Sequence, residues 1–398
     1  MRSMEYITHG VRVYSSTFDE KTGAVVRIVD DLGANSIHGY GRNSHRDYRL
    51  EEEIRKRFPH RWQAVPSPSP ELCDISITDR CSMGCAYCYQ DSKPNRKHGR
   101  KDLVETILKG FEHVPYQIAI GGGEPTQHPD FPYILRKARE LGTVPNYTTA
   151  GFKMTPEIVA ATNEVCGGVA MTYHSFKGFD WFKEHYKKLR TQLKVKLNIH
   201  LIADKNVAVN LRALCKIKDE LGPLSIVLLA YYPDVGRANL TDLMTRTVYM
   251  KSLPEAIIYA RNLAVDISFS EGLLPFFLSR PELGINTSFV MPSEGIFSCY
   301  FDPRGRMSST SFQPRDKSAS VFDEGITSQD LWTNLSANGS HPSGEACLED
   351  CRYSNQCSAP SDYHYFLCAF APHNNLPLDT KENPVERKTR FEILQGDD

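Results

Sequence analysis

From Leu72 to about residue 263 the sequence repeats one unit. Each unit is a short β-rich run, a loop carrying glycine, cysteine or polar residues, and a segment with apolar residues on one helical face. Six runs have strand character: 73–77, 117–120, 144–147, 169–173, 195–202 and 225–230. Leu103, Val104, Ile107, Leu108 and Phe111 recur at helical spacing, and so do Phe131, Ile134, Leu135, Ala138 and Leu141. Further helical segments fall near 156–164, 178–192, 207–221 and 253–263. This alternation demands a parallel sheet with helices outside it, because parallel neighbours need a crossover connection. Six units predict an α/β fold, a partial (β/α)6 TIM-type barrel that is not fully closed. Its functional loops belong at the C-terminal ends of the strands.

The strands carry a second pattern. Val195, Leu197, Ile199 and Leu201 alternate with Lys196, Asn198 and His200, and Val169, Met171 and Tyr173 alternate with Ala170, Thr172 and His174. The first strand adds Asp74, Ser76 and Thr78. The apolar set is expected on the outer helices and the polar set in the lumen. Polar groups inside a barrel are costly unless a ligand or water satisfies them, so the lumen reads as a cofactor and substrate chamber.

The loop after the first strand is Cys81-Ser82-Met83-Gly84-Cys85-Ala86-Tyr87-Cys88. A structural zinc site closes with four ligands. Three thiolates on one short loop leave a position open, and iron–sulfur clusters are held by cysteines at such close spacing. The chain has 11 cysteines, three of them here and four more at Cys347, Cys351, Cys357 and Cys368. The second group fits a closed iron–sulfur site or a four-cysteine zinc site. Cys73, Cys166, Cys215 and Cys299 are scattered. The N-terminus lacks the apolar run of a signal peptide, and no stretch approaches a membrane span. The cysteines are therefore expected to be metal ligands of a cytoplasmic protein rather than a disulfide framework. The net charge of −1 offers no basic field for nucleic acid.

The second strand ends in Gly121-Gly122-Gly123-Glu124-Pro125, where glycines let backbone approach a ligand closely. Taken with the cysteine loop, this resembles the radical S-adenosylmethionine (SAM) superfamily over residues 72–240. The resemblance implies a 4Fe–4S cluster on Cys81, Cys85 and Cys88, whose free iron binds SAM. It implies that Gly122, Gly123 and Glu124 hold the methionine ammonium and that Tyr87, Thr149, Thr172 and Asn198 line the cofactor pocket. Thr148-Thr149-Ala150-Gly151 stands where the family has Thr-Asn-Gly, and Thr172 and His174 stand where relatives carry Ser-Ile-Asp-Gly. Gly236-Arg237-Ala238 is similar to a stretch of relatives with a SPASM or Twitch extension, which implies Arg237 against the SAM carboxylate or a substrate acid, with a surface salt bridge as the alternative.

Residues 285–370 resemble such an extension, implying one auxiliary 4Fe–4S cluster on Cys347, Cys351, Cys357 and Cys368, with zinc as the alternative. Cys299 is then a bystander or an alternative ligand. Thr310 and Ser361 stand where further cysteines are usual.

The expected organisation is a segment of hairpin, charged helix (46–58) and Pro-rich linker over 1–70, the barrel over 71–265, the SPASM/Twitch-like domain over 266–371 and a polar tail over 372–398. The expected activity is reductive cleavage of SAM and hydrogen-atom abstraction from a substrate. A peptide or protein side chain is favoured, with a small metabolite as the alternative and an electron donor such as flavodoxin or ferredoxin. A non-catalytic zinc scaffold is the alternative of another class.

Overall fold

A computed structural model describes residues 2–8, 11–21, 24–31, 34–40, 67–232, 235–245, 247–278, 280–285, 294–312 and 318–337. The expected helix over 46–58, the cysteines at 347, 351, 357 and 368, and the tail over 372–398 lie outside these residues.

The strands expected between 72 and 230 all form, as β5 (Leu72–Ser76), β6 (Gln117–Gly121), β7 (Val144–Thr149), β8 (Gly168–Thr172), β9 (Lys196–Ala203) and β10 (Ser225–Ala230). Neighbours pair in parallel in chain order. The crossovers are helices α1 (Leu103–Lys109), α2 (Phe131–Glu140), α3 (Pro156–Val165), α4 (Phe179–Gln192) and α5 (Val207–Cys215). Local signals fix some of their ends. At α3, the Thr155 hydroxyl accepts the Ile158 N–H at 3.3 Å and Pro156 occupies the first turn.

The sheet extends past the predicted strands at both edges. A seventh parallel strand, β11 (Asp266–Phe269), follows helix α6 (Leu253–Asn262) and pairs with β10. The expected boundary at 265 therefore falls inside the sheet. At the other edge β12 (Ser298–Phe301) pairs in parallel with β5, and β13 (Met307–Ser308) turns back antiparallel onto β12. The sheet order is β11-β10-β9-β8-β7-β6-β5-β12-β13, with β11 and β13 as its two edges.

Alternation sorts the two faces as expected. Ile75, Ile118, Ile120, Val169, Met171, Leu197, Ile199, Leu201, Ile226 and Leu228 are buried in one core with Leu103, Ile107, Leu135, Phe182 and Leu211 of the helices. The opposite face carries Asp74, Thr172, Asn198 and His200.

The predicted hairpin is the middle of a larger element. Strands β2 (Val11–Asp19) and β3 (Ala24–Asp31) pair antiparallel, flanked by β1 (Arg2–Thr8) and β4 (Ala34–Tyr40). This sheet docks through Met4, Phe18 and Val25 onto Tyr116, Val144, Ile296 and Phe297. Those partners lie at the N-terminal ends of the barrel strands, opposite the cysteine loop.

Candidate cluster and cofactor site

The chain leaves β5 and closes a loop on itself before α1. The Asp79 N–H donates to Lys97 O (3.0 Å), Lys93 N–H to Asp79 O (3.3 Å), Cys81 N–H to Lys93 O (3.2 Å) and Gly99 N–H to Ile77 O (2.8 Å). This ring of backbone bonds presents the three cysteines, all half-buried, at the C-terminal end of β5. Two sulfurs already accept backbone donors: Met83 N–H at Cys81 Sγ and Ser92 N–H at Cys88 Sγ, both at 3.4 Å. The Cys85 sulfur faces His174 Nδ1 at 3.6 Å. Burial, then the neighbouring thiols, pushes the Cys85 thiol up to about 12, and burial raises Cys81 as well. Thiolates here need a cation to offset desolvation, and a metal centre supplies it.

The glycine run packs against this loop. Gly123 N–H donates to Thr78 O (2.6 Å) and Glu124 N–H to Arg80 O (2.9 Å). A Cβ on Gly123 would lie 2.1 Å from Arg80 O, and one on Gly122, at φ +114°, would lie 2.3 Å from Ser76 Oγ. Glycine is required at both positions because the two loops touch backbone to backbone.

The Glu124 side chain has a different place from the one expected. It is buried, and its carboxylate accepts from Thr126 N–H (3.2 Å), Thr126 Oγ1–H (2.6 Å), Thr149 Oγ1–H (2.7 Å) and Ala150 N–H (2.8 Å). The Thr149 hydroxyl also accepts Gly151 N–H at 3.0 Å. Glu124 and Thr149 thus clamp the β6 and β7 loops together.

Arg237 takes the salt-bridge alternative and adds hydrogen bonds to the cysteine loop. Its Nε donates to Cys85 O (3.1 Å), its Nη1 to Ser92 O (3.1 Å) and to Asp91 (3.2 Å), and its backbone N–H to Cys88 O (2.9 Å). Gly236, at φ +61°, lies so close that a Cβ would be 2.3 Å from Tyr89 O. The Gly-Arg pair is a strap over the cysteine loop, and the carboxylate Arg237 pairs with is that of Asp91. Sequence reasoning missed this because the loop's carbonyls carry no side-chain signal.

The lumen face brings the remaining expected residues together. Ala170 pairs with Asn198 and Thr172 with His200 across β8 and β9. Asn198 Oδ1 is buried without a partner among the described residues. Tyr87 Oη lies 3.0 Å from His174 Nδ1. Burial raises Asp74 and Asp204 to about 6 each and lowers His200 to about 4. Asp74 is open to solvent yet ringed by protein, as a residue on a concave wall must be. Asp204, at the end of β9, carries no motif and was not singled out from the sequence.

Cys299 is settled by β12. It sits opposite Cys73 in register, its sulfur 3.4 Å from the Cys73 sulfur, and is 1% exposed. It faces the apolar layer beneath the sheet, so it is a core residue and not an open ligand. Thr310 is buried too.

These residues fit a 4Fe–4S cluster and SAM. Among the described residues no three His, Cys, Asp or Glu side chains converge on one ion. Three sulfurs spread around one loop mouth suit a cluster in which each thiolate takes its own iron. An orphaned acceptor at Asn198 lines the adjoining lumen and suits a ligand that carries donors.

An open parallel barrel with a three-cysteine loop after its first strand defines the class. Residues 75–212 match the family described as the Radical SAM superfamily, and this part of the chain is a radical SAM domain. The chain is similar to the tungsten-containing aldehyde ferredoxin oxidoreductase cofactor-modifying protein of Pyrococcus furiosus, at 29% identity over 50% of this chain and 51% of that protein. It is similar to the PqqA peptide cyclase of Ruegeria pomeroyi, at 33% identity over 25% of this chain and 27% of the cyclase. It thus spans about half the length of the first relative and about a quarter of the second. Streptococcus suis SuiB bound to its precursor peptide SuiA shares the fold, with a TM-score of 0.56 and 14% identity over 84% of this chain and 90% of that one.

Proposed function

We propose that this chain is a radical SAM enzyme acting on a peptide or protein side chain. The observation that carries the reading is the cysteine loop: three thiols at a strand C-terminus, two of them already holding a backbone N–H, opening onto a polar lumen. Cys81, Cys85 and Cys88 would hold the cluster, and the backbone of Gly121–Gly123, with Thr172 and Asn198, would meet SAM. A bound and reduced cluster would supply the one electron needed to split SAM homolytically into methionine and a 5′-deoxyadenosyl radical, which would take a hydrogen atom from the substrate.

The protein's own contribution is positional. The Arg237 strap and the Gly122–Gly123 contact hold the loop against the β6 loop, so the sulfurs and the lumen keep one geometry. The peptide substrate draws support from the named relatives, one a peptide cyclase and one bound to a precursor peptide. An auxiliary 4Fe–4S cluster on Cys347, Cys351, Cys357 and Cys368, with zinc as the alternative, and a donor of the flavodoxin or ferredoxin kind complete the proposal. Among the described residues no helix is long and apolar enough to cross a membrane.

The test is anaerobic reconstitution with iron and sulfide, metal analysis, then dithionite and SAM. Bound iron and sulfide with release of 5′-deoxyadenosine support the reading. Zinc alone, with no deoxyadenosine, contradicts it and favours the scaffold.

A further inference from the structure

The three cysteine sulfurs are not equivalent. Cys81 and Cys88 accept backbone N–H groups from their own loop. The Cys85 sulfur instead meets a side chain from a different element. His174 follows β8, is 8% exposed, and points its Nδ1 at both Cys85 Sγ (3.6 Å) and Tyr87 Oη (3.0 Å). Its ring is fixed from two sides, stacked on Tyr87 at 6.3 Å between centroids and tilted against Phe176 at 5.7 Å. Its backbone is held by the turn that follows, where Lys177 N–H donates to His174 O at 3.0 Å. A buried ring so constrained has one nitrogen available to the loop.

The proton's place follows from charge. A cluster-bound Cys85 is a thiolate, an acceptor only. A lone pair on Nδ1 would face it in repulsion, whereas an Nδ1–H donates to it, and to the Tyr87 oxygen beside it. Resting on the cluster reading above, we infer that His174 is a positioning residue: it donates Nδ1–H to the Cys85 sulfur, raises the reduction potential of the cluster, and fixes the ring of Tyr87 at the cofactor pocket. Hydrogen bonds to ligand sulfurs are one of the protein's means of setting cluster potentials, because they stabilise the more negative, reduced state.

Potentiometric titration followed by electron paramagnetic resonance tests this on anaerobically reconstituted protein of measured iron content. His174→Leu is expected to keep its iron and shift the midpoint to a lower potential. His174→Asn, whose amide N–H falls near the position of Nδ1, is expected to stay close to the unaltered protein. An unchanged midpoint in His174→Leu overturns the inference, and so does an equal shift in both variants, which would make ring volume the cause. If the variants do not hold a cluster, pulsed resonance on unaltered protein grown with 15N-histidine decides. A weak nitrogen coupling to the cluster spin is expected, and its absence overturns the inference. Failure of the unaltered protein to take up any cluster is a separate result, and counts against the proposed function itself.

Discussion

The two ends of the barrel are held by different forces. At the C-terminal ends of the strands, the cysteine loop is fixed by backbone hydrogen bonds, by glycines whose missing Cβ lets chains touch, and by one arginine spread over three acceptors. At the N-terminal ends, the four-stranded sheet is fixed by Met4, Phe18 and Val25 against Tyr116, Val144, Ile296 and Phe297, with Phe18 stacked on Tyr116 at 5.2 Å. Arg2 adds hydrogen bonds to the carbonyls of Val114 (2.9 Å), Pro115 (3.3 Å) and Tyr116 (3.4 Å). The polar end keeps thiols and acceptors reachable, which an apolar interface would bury. The apolar end supplies burial energy where nothing needs to be reached. Changes at the first end should remove chemistry and leave the fold, and changes at the second should do the reverse.

Four substitutions can break or sharpen this contrast. Cys85→Ala should abolish the cluster and SAM cleavage while leaving the unfolding free energy within about 0.5 kcal/mol of that of the unaltered protein without its cluster, because the residue is half-buried on a loop. Iron analysis and urea unfolding check it together. Phe18→Ala, at the other end, should cost about 3–5 kcal/mol for the docked sheet and leave the iron content per folded chain unchanged. Loss of cluster in that variant would join the two ends into one unit.

Gly123→Ala should cost about 1–3 kcal/mol, since its Cβ would collide with the Arg80 carbonyl, a backbone atom that cannot swing away. It should also loosen cluster retention, seen as faster iron loss to a chelator. The smallest effect concerns His200. Burial lowers it to about 4, against an unfolded value of about 6.5. Its folded state prefers the neutral ring, so this contribution is complete above pH ~6.5 and is lost as pH falls toward 4. His200→Asn should therefore flatten the fall in melting temperature between pH 7 and 4.5, and an unchanged slope would place the acid sensitivity elsewhere.

The barrel was legible because its elements announce themselves locally. Strand β9 alternates Leu197, Ile199 and Leu201 with Asn198 and His200, and the structure buries the first set beneath the helices. The cysteine loop was legible from its spacing, and the glycine loop from its resemblance to the run that the family carries after its second strand. What stayed hidden depends on contacts between distant segments. Strand β11 is four residues long, too short for its alternation to stand out. Strand β12 reads as the opening of a second domain until its register with β5 puts Cys299 against Cys73. Glu124 and Arg237 are charged residues in ligand-binding motifs, so a contact with the ligand is the natural reading. The structure gives each of them protein partners instead, because the loops they join are far apart in sequence and must still meet. The strands β1 and β4 carry too little pattern of their own, and pairing with the hairpin defines them.

The central claim is that the cysteine loop holds a cluster with one iron left for SAM. Electron paramagnetic resonance of the dithionite-reduced, reconstituted protein, recorded before and after SAM is added, tests it most directly. A change of signal on addition, with no cluster signal at all from Cys85→Ala protein treated in the same way, is the predicted result. A reduced cluster whose signal SAM leaves unchanged would contradict the account.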